Sequence, residues 1–316
     1  MLVVLDVTLP VFALVFCGWL AARRGLMGDE AVAGLNAFVF WFALPAMLYR
    51  AVSSQPVSRI ADPRFIAAWT VAALAIFFAT RALSRRGAPD SAQRTGHAFT
   101  VAHGNIGYLG LPLLAQLGDP SRLPAMVMAI IVDILVVIVV SIVLFEFARS
   151  GRDDAAVEPI GRRIAGAIGG LLRTPLILGI ATGLAATLTG LRLPSAVDTF
   201  VGLLAQAAGP CALFAIGASL GNRTVRIDRT VTGLMAAKLA AHPVLVAATM
   251  WAFGVDPALA AIGVLAAALP SASNTYILAQ RYGVDTMPIG AAIVSGTFAA
   301  ALTVSFVIWV LALPIG

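Results

Sequence analysis

Thr100–Gln116, TVAHGNIGYLGLPLLAQ, and Ala266–Gln280, AAALPSASNTYILAQ, decide how this chain is built. Each is an apolar run interrupted by residues that weaken helices. In the first, Gly104, Asn105, Gly107, Gly110 and Pro112 crowd together; in the second, Pro270 is followed by Ser271, Ser273, Asn274 and Thr275. Proline removes an amide donor and clashes with the preceding turn, while glycine permits backbone geometries closed to other residues. A helix opened at membrane depth exposes main-chain dipoles, and its new amino end is partly positive. The hydroxyl and amide groups beside it can hydrogen-bond a carboxylate or an amide. Glycine and small residues also serve plain helix packing. What favours a solute site is that both segments occur, 164 residues apart, in matching places; interrupted helices repeated in this way are how many secondary transporters build a substrate site. The candidate contacts are Gly104, Asn105, Tyr108 and Pro112 in the first segment and Pro270, Ser271, Ser273 and Asn274 in the second.

Working outward, composition places both segments in a membrane. The 316 residues are 60% hydrophobic and 11% charged, and the mean hydropathy is +0.96. That length holds roughly ten spans of about 20 residues. Apolar segments fall near 5–22, 32–50, 64–83, 96–117, 123–147, 165–190, 195–219, 230–253, 257–280 and 287–312, with Arg, Asp, Gly and Pro between them. The reading is an all-α integral membrane protein with ten transmembrane helices. The stretch Arg162–Arg192 is open between one long tilted helix and an interfacial turn up to Arg173 followed by the span. The first segment has no basic region before Leu9-Pro10, and its charges, Arg23 and Arg24, come after the apolar run, so it is expected to stay as a helix.

Charge sets the expected orientation. With the amino terminus outside, the cytoplasmic connections carry fourteen arginines and the opposite face five, Arg50, Arg59, Arg64, Arg122 and Arg192. The positive-inside rule therefore puts both termini on the periplasmic side. Topology accounts for the net charge of +6, and a nucleic-acid partner gains no support. Cys17 and Cys211 read as buried packing thiols. His97, His103 and His242 show no metal-ligand spacing, and GGLLRT lacks the order of a nucleotide-binding loop, so no cofactor is expected. Glu146 reads as part of a solvated, charged loop end.

Ile131-Val132-Asp133 is echoed by Ile293-Val294-Ser295, Leu114-Ala115-Gln116 by Leu278-Ala279-Gln280, and Pro45 by Pro210, at offsets of 162, 164 and 165. An odd number of spans per half reverses the second half, so the expectation is two inverted five-helix repeats with helices 4 and 9 broken. The division is 1–148, a cytoplasmic connection 149–163, and 164–316. Pro45 and Pro210 read as kinks.

Asp133, in MVMAIIVDILVVIVV, is an isolated acid among apolar residues. Such a carboxylate must face the interior, be protonated for part of a cycle, or find a partner. Lys238, about 12 Å along its helix from Thr230, poses the opposite problem: it can neutralise an anion, pair with Asp133, or snorkel to an interface. His242 follows by four on the same face. Asp133, Lys238 and His242 are the candidates for ion coupling or charge compensation.

The stretch Asn105–Pro112 (NIGYLGLP), the FALP ending at Pro45, Lys238 ahead of Pro243, and the Pro270–Asn274 turn together resemble the auxin efflux carrier family in its bacterial branch, which includes malonate-transporter-like proteins. The resemblance covers essentially the whole chain. It implies ten helices in two inverted repeats, a scaffold of spans 1, 2, 6 and 7, and a moving unit of spans 3–5 and 8–10 that works as an elevator. It also implies a crossover asparagine at Asn105, paired prolines at Pro112 and Pro270, a homodimer through the scaffold, and a multi-pass place in the bacterial inner membrane among its lipids. A small carboxylate is the expected substrate, with H+ or Na+ as the coupling ion. The alternatives are a sodium-coupled organic-anion symporter resembling the bile acid carriers, or a sensor derived from a transporter. No nucleophile, paired acids or filter supports an enzyme or a channel.

Overall fold

The computed structural model describes residues 2–56, 61–88, 90–117, 122–150, 159–221 and 226–312, and all their regular structure is helical. In chain order the helices are α1 (Leu2–Arg23), α2 (Asp29–Ser53), α3 (Pro63–Leu83), α4 (Ser91–Ala102), α5 (Ile106–Gln116) and α6 (Leu123–Arg149). There follow α7 (Ile160–Leu172), α8 (Pro175–Thr189), α9 (Ser195–Gly221), α10 (Arg229–Ala252), α11 (Pro257–Ala268), α12 (Asn274–Arg281) and α13 (Met287–Val310). Several scarce acids start helices. Asp62, Asp90, Asp228 and Asp256 accept from Phe65 N, Gln93 N, Val231 N and Ala258 N at 2.8, 2.7, 2.8 and 2.9 Å, each satisfying an amide that the first turn leaves without a partner.

Prolines leave a mark inside the long helices. α2, α5 and α10 each contain a π-turn, at Val39–Ala43, Ile106–Gly110 and Ala237–Ala241, and each ends just before an X-Pro pair. In each case the residue before the proline donates five positions back: Leu44 to Val39, Leu111 to Ile106 and His242 to Ala237. The ring would crowd the carbonyl four residues earlier, and one extra residue in the turn relieves it. A fourth π-turn begins at Asp133 without a proline.

Six helices among the described residues are long and apolar enough to cross a membrane: α2, α3, α6, α9, α10 and α13. They become seven if α7 and α8, bent by 59° at Arg173-Thr174, count as one span. This corrects the expected ten spans in two inverted repeats. The protein is an all-α multi-pass membrane protein with about six to seven apolar transmembrane helices, and the described residues do not display an inverted two-repeat arrangement. The physical reason for the lower number is interruption. Residues 96–117 and 257–280 are each cut into two helices at their polar breaks, and the pieces Ile106–Gln116 and Pro257–Ala268 are too short to cross alone, as is the apolar stretch Thr8–Arg23 of α1. The bend at Arg173 favours the interfacial-turn reading of the sixth segment.

The outward surface is apolar, with Phe16, Leu83, Trp251 and Leu302 exposed, as lipid contact requires. Cys17 is exposed and Cys211 half-buried, so neither is the buried packing thiol expected. Glu146 is 5% exposed rather than solvated. It pairs with Arg163 of α7 and accepts from the Tyr282 hydroxyl at 2.8 Å. Burial and this carboxylate push the Tyr282 phenol well above its ordinary pKa, which keeps it a donor.

α1 packs most closely on α9, and α8 on α2. Glycine makes both contacts possible. A Cβ at Gly217 would collide with the Val15 carbonyl of α1, and one at Gly179 with the Pro45 main chain at 2.6–3.1 Å. Backbones that approach this closely are a means of association where lipid is as apolar as the side chains. Gly217→Ala is expected to cost about 1–3 kcal/mol by overpacking, read as a thermal midpoint several degrees lower in detergent, while Gly233→Ala, where a Cβ meets nothing within 4 Å, leaves it unchanged.

Candidate functional site

α4 ends at Ala102 because His103 turns extended (φ −102°, ψ 111°), and α11 ends at Ala268 because Leu269 does the same (φ −65°, ψ 149°). The two breaks meet. Gly104 and Ser271 form an antiparallel bridge, in which Asn105 N donates to Pro270 O at 2.8 Å and Ala272 N to His103 O at 3.3 Å. Each break thus satisfies main-chain groups of the other, as unwound backbone within a membrane requires. The structure therefore brings together Gly104, Asn105, Pro270 and Ser271, which lie far apart in sequence.

The polar side chains at this crossing are largely unengaged. Asn105 and Ser271 are buried, Tyr108 and Ser273 half-buried, and none makes a side-chain hydrogen bond to a described residue. Tyr108 packs toward Val39, Ala43 and Leu44 of α2 and Ala208 and Ala212 of α9. Pro112 faces Gly209 of the same helix, where an added Cβ would lie 3.4 Å from its ring. Asn274 is the exception. It is exposed and its amide nitrogen lies 3.0 Å from His103 Nε2.

Behind the crossing lies a buried polar cluster. Asp133, 1% exposed, accepts from Trp69 Nε1 at 2.9 Å, and its other oxygen lies 3.0 Å from His103 Nδ1. A carboxylate only accepts, so His103 donates through Nδ1; its neutral form then receives Asn274 at Nε2. Lys238, 2% exposed, has its Nζ 3.0 Å from His242 Nδ1. An ammonium only donates, so this contact uses the lone pair on His242 Nδ1 and leaves a proton for Nε2, a buried nitrogen with no hydrogen-bond partner among the described residues. Lys238 is within electrostatic reach of Asp133. It also lies against the crossing: a Cβ at Gly104 would be 3.1 Å from its Nζ. The cluster holds one anion and one cation, which offset each other in a medium that penalises either alone.

The cluster contains Asp133, Lys238 and His242, each singled out in the sequence, together with Trp69 and His103, which were not among the sequence candidates. His103 carried a signal, as the residue that opens the break; Trp69, 64 positions from Asp133, carried none. Among the described residues no group of three or more His, Cys, Asp or Glu could hold a metal ion.

A family profile described as Membrane transport protein matches residues 3–308. The chain belongs to that family. A protein of Rhizobium meliloti (strain 1021) named "Putative malonate transporter" is 34% identical over 312 residues, which are 96% of this chain and 94% of that one. An Escherichia coli (strain K12) protein named "Uncharacterized transporter YfdV" is 26% identical over 285 residues, 88% of each chain. "Auxin efflux carrier component 8" of Arabidopsis thaliana is 21% identical over 348 residues, 94% of each. The resemblance read from Asn105–Pro112 and Pro270–Asn274 is thereby borne out. This membrane transport protein is a helical integral-membrane transporter of the auxin-efflux-carrier family.

Proposed function

We propose that this transporter is a secondary carrier that moves a small, malonate-like carboxylate by alternating access of the elevator kind. One observation carries the proposal: Asn105, Tyr108, Ser271 and Ser273 surround two bridged helix breaks with their hydrogen-bonding groups unspent within the described residues. Pro270 O and His103 O accept main-chain N–H groups across the breaks, while the Asn105 amide and the Tyr108, Ser271 and Ser273 hydroxyls can donate to an anion. The relative named for malonate transport supports the substrate class.

In this reading the scaffold is α1, α2, α7, α8 and α9, with glycine-tight contacts locking α1 to α9 and α8 to α2, and the moving unit is α3–α6 and α10–α13. Trp69, His103, Asp133, Lys238, His242 and Asn274 all belong to the moving unit, so their network travels intact with the cargo. Lys238 supplies the positive field behind the anion, with its Nζ beside Gly104 of the crossing. Proton coupling fits this cluster better than sodium, because a sodium ion needs several oxygen ligands and the single carboxylate is already held by an indole and an imidazole. The carrier acts as a homodimer through the scaffold in the bacterial inner membrane, with both termini periplasmic.

The test is flux in proteoliposomes with labelled malonate and related mono- and dicarboxylates under imposed proton or sodium gradients. Saturable uptake that a pH gradient accelerates is expected. Absence of flux for every acid under both gradients would overturn the carboxylate reading, and dependence on sodium alone would overturn the proton.

A further inference from the structure

A second polar feature lies outside the crossing. A cavity of ≈ 450 Å³ opens between α1, α2, α9 and the α5 half of the interrupted segment. Its lining is mostly apolar, and the polar side chains in it are Arg50, Gln116 and Gln206, with Pro112, Gly209 and Pro210 forming part of the wall. Arg50 is thus the one cation on a surface that otherwise repels charge. Its guanidinium lies against Gly202 of α9, where any Cβ would collide with Nη1. The same guanidinium is 3.6 Å from the Asp198 carboxylate.

Both members of this pair are about half exposed, at 44% and 51%. An exposed ion pair at that distance contributes little to stability, so its presence does not require a structural purpose. A carboxylate arriving in the cavity can replace the Asp198 carboxylate on the guanidinium fork, which matches carboxylate geometry in two parallel hydrogen bonds. The apolar walls strengthen that attraction relative to water. The two carboxamides, Gln116 and Gln206, offer further donors. Pro112 is seven residues from Asn105 on one segment, about 10 Å along it, so a short diacid cannot span both positions.

We propose that this cavity is a capture station for the carboxylate of the transported solute, with Arg50 as its cation and Asp198 as the anion the solute displaces. The station precedes the crossing and is distinct from it; it rests on the carboxylate-transport reading above. It makes Arg50 a specificity-determining residue that sorts anions from neutral solutes before Asn105 is reached.

The test exploits the pair. Arg50→Gln and Asp198→Asn both abolish the ion pair, so a merely structural role predicts the same change in both. Capture predicts opposite changes. In proteoliposomes the KM for malonate is expected to rise roughly 10-fold in Arg50→Gln, the loss of one charged hydrogen-bonding partner, and to stay at or fall below the wild-type value in Asp198→Asn. Arg50→Lys, which keeps the charge without the fork, is expected to fall between. Equal increases in both variants, or no change in Arg50→Gln while wild type transports, would overturn the capture role. Binding is read separately as the thermal stabilisation of detergent-solubilised protein by malonate. Stabilisation kept in Asn105→Ala and lost in Arg50→Gln supports capture even where wild type gives no flux, which isolates a failure of the transport reading. Stabilisation that survives in Arg50→Gln at unchanged malonate concentration would overturn capture.

Discussion

Asn105→Ala is expected to lower kcat/KM for carboxylate uptake by roughly 10- to 100-fold, the range that follows from losing one hydrogen bond to a charged group. Folding should survive the change. The Asn105 side chain bonds no described residue, while its main-chain N–H, which donates to Pro270 O at 2.8 Å, remains in alanine. Its backbone (φ −80°, ψ 53°) is on the negative-φ side open to any L-residue. The measurement is proteoliposome flux beside size-exclusion behaviour and thermal midpoint. A folded variant with wild-type flux would remove Asn105 from the site; a variant that does not fold would show that its side chain holds the crossing together.

The second large effect concerns the buried charges. Lys238→Met takes away a buried cation within electrostatic reach of Asp133, and leaving the buried carboxylate uncompensated is expected to cost up to about 3–5 kcal/mol. Transport and thermal stability are both expected to collapse. Asp133→Asn in the same chain removes the stranded charge, so the double variant should recover much of the stability without recovering flux. A double variant no more stable than Lys238→Met would show that the two charges are independent. Asp133→Asn alone keeps one acceptor and turns an NH2 donor toward the other partner, so His103 must switch tautomer to keep its contact; it also tests the coupling ion, since uptake should lose its response to a pH gradient.

Much of the site was legible because its chemistry is local. Gly104 through Pro112 and Pro270 through Asn274 announce their breaks in composition, and a lone Asp133 in hydrocarbon demands a partner wherever it sits. Identity of the partner was not legible. Trp69 and His103 reach Asp133 from other helices, and nothing in a run such as Phe65–Ala79 marks one buried tryptophan as a donor. Lys238 was weighed as a snorkelling residue, and only its burial against Gly104 and His242 decides otherwise. The number of spans failed for a related reason: hydropathy counts apolar residues without asking whether the helix continues, so the same breaks that reveal the site inflate the count. Glu146 misled in the opposite sense, because neighbouring charges suggested a solvated loop while Tyr282 and Arg163, 136 and 17 positions away, enclose it.

The bridge between Gly104 and Ser271 is made by main-chain groups alone. Tyr108, Ser271 and Ser273 therefore surround the crossing without being needed to hold it. If those positions select the cargo as proposed, it can change by point substitution there while the bridge stays intact. Divergence of substrate within such a lineage becomes a matter of small steps, and the same freedom is open to an engineer who wants a carrier for a different acid.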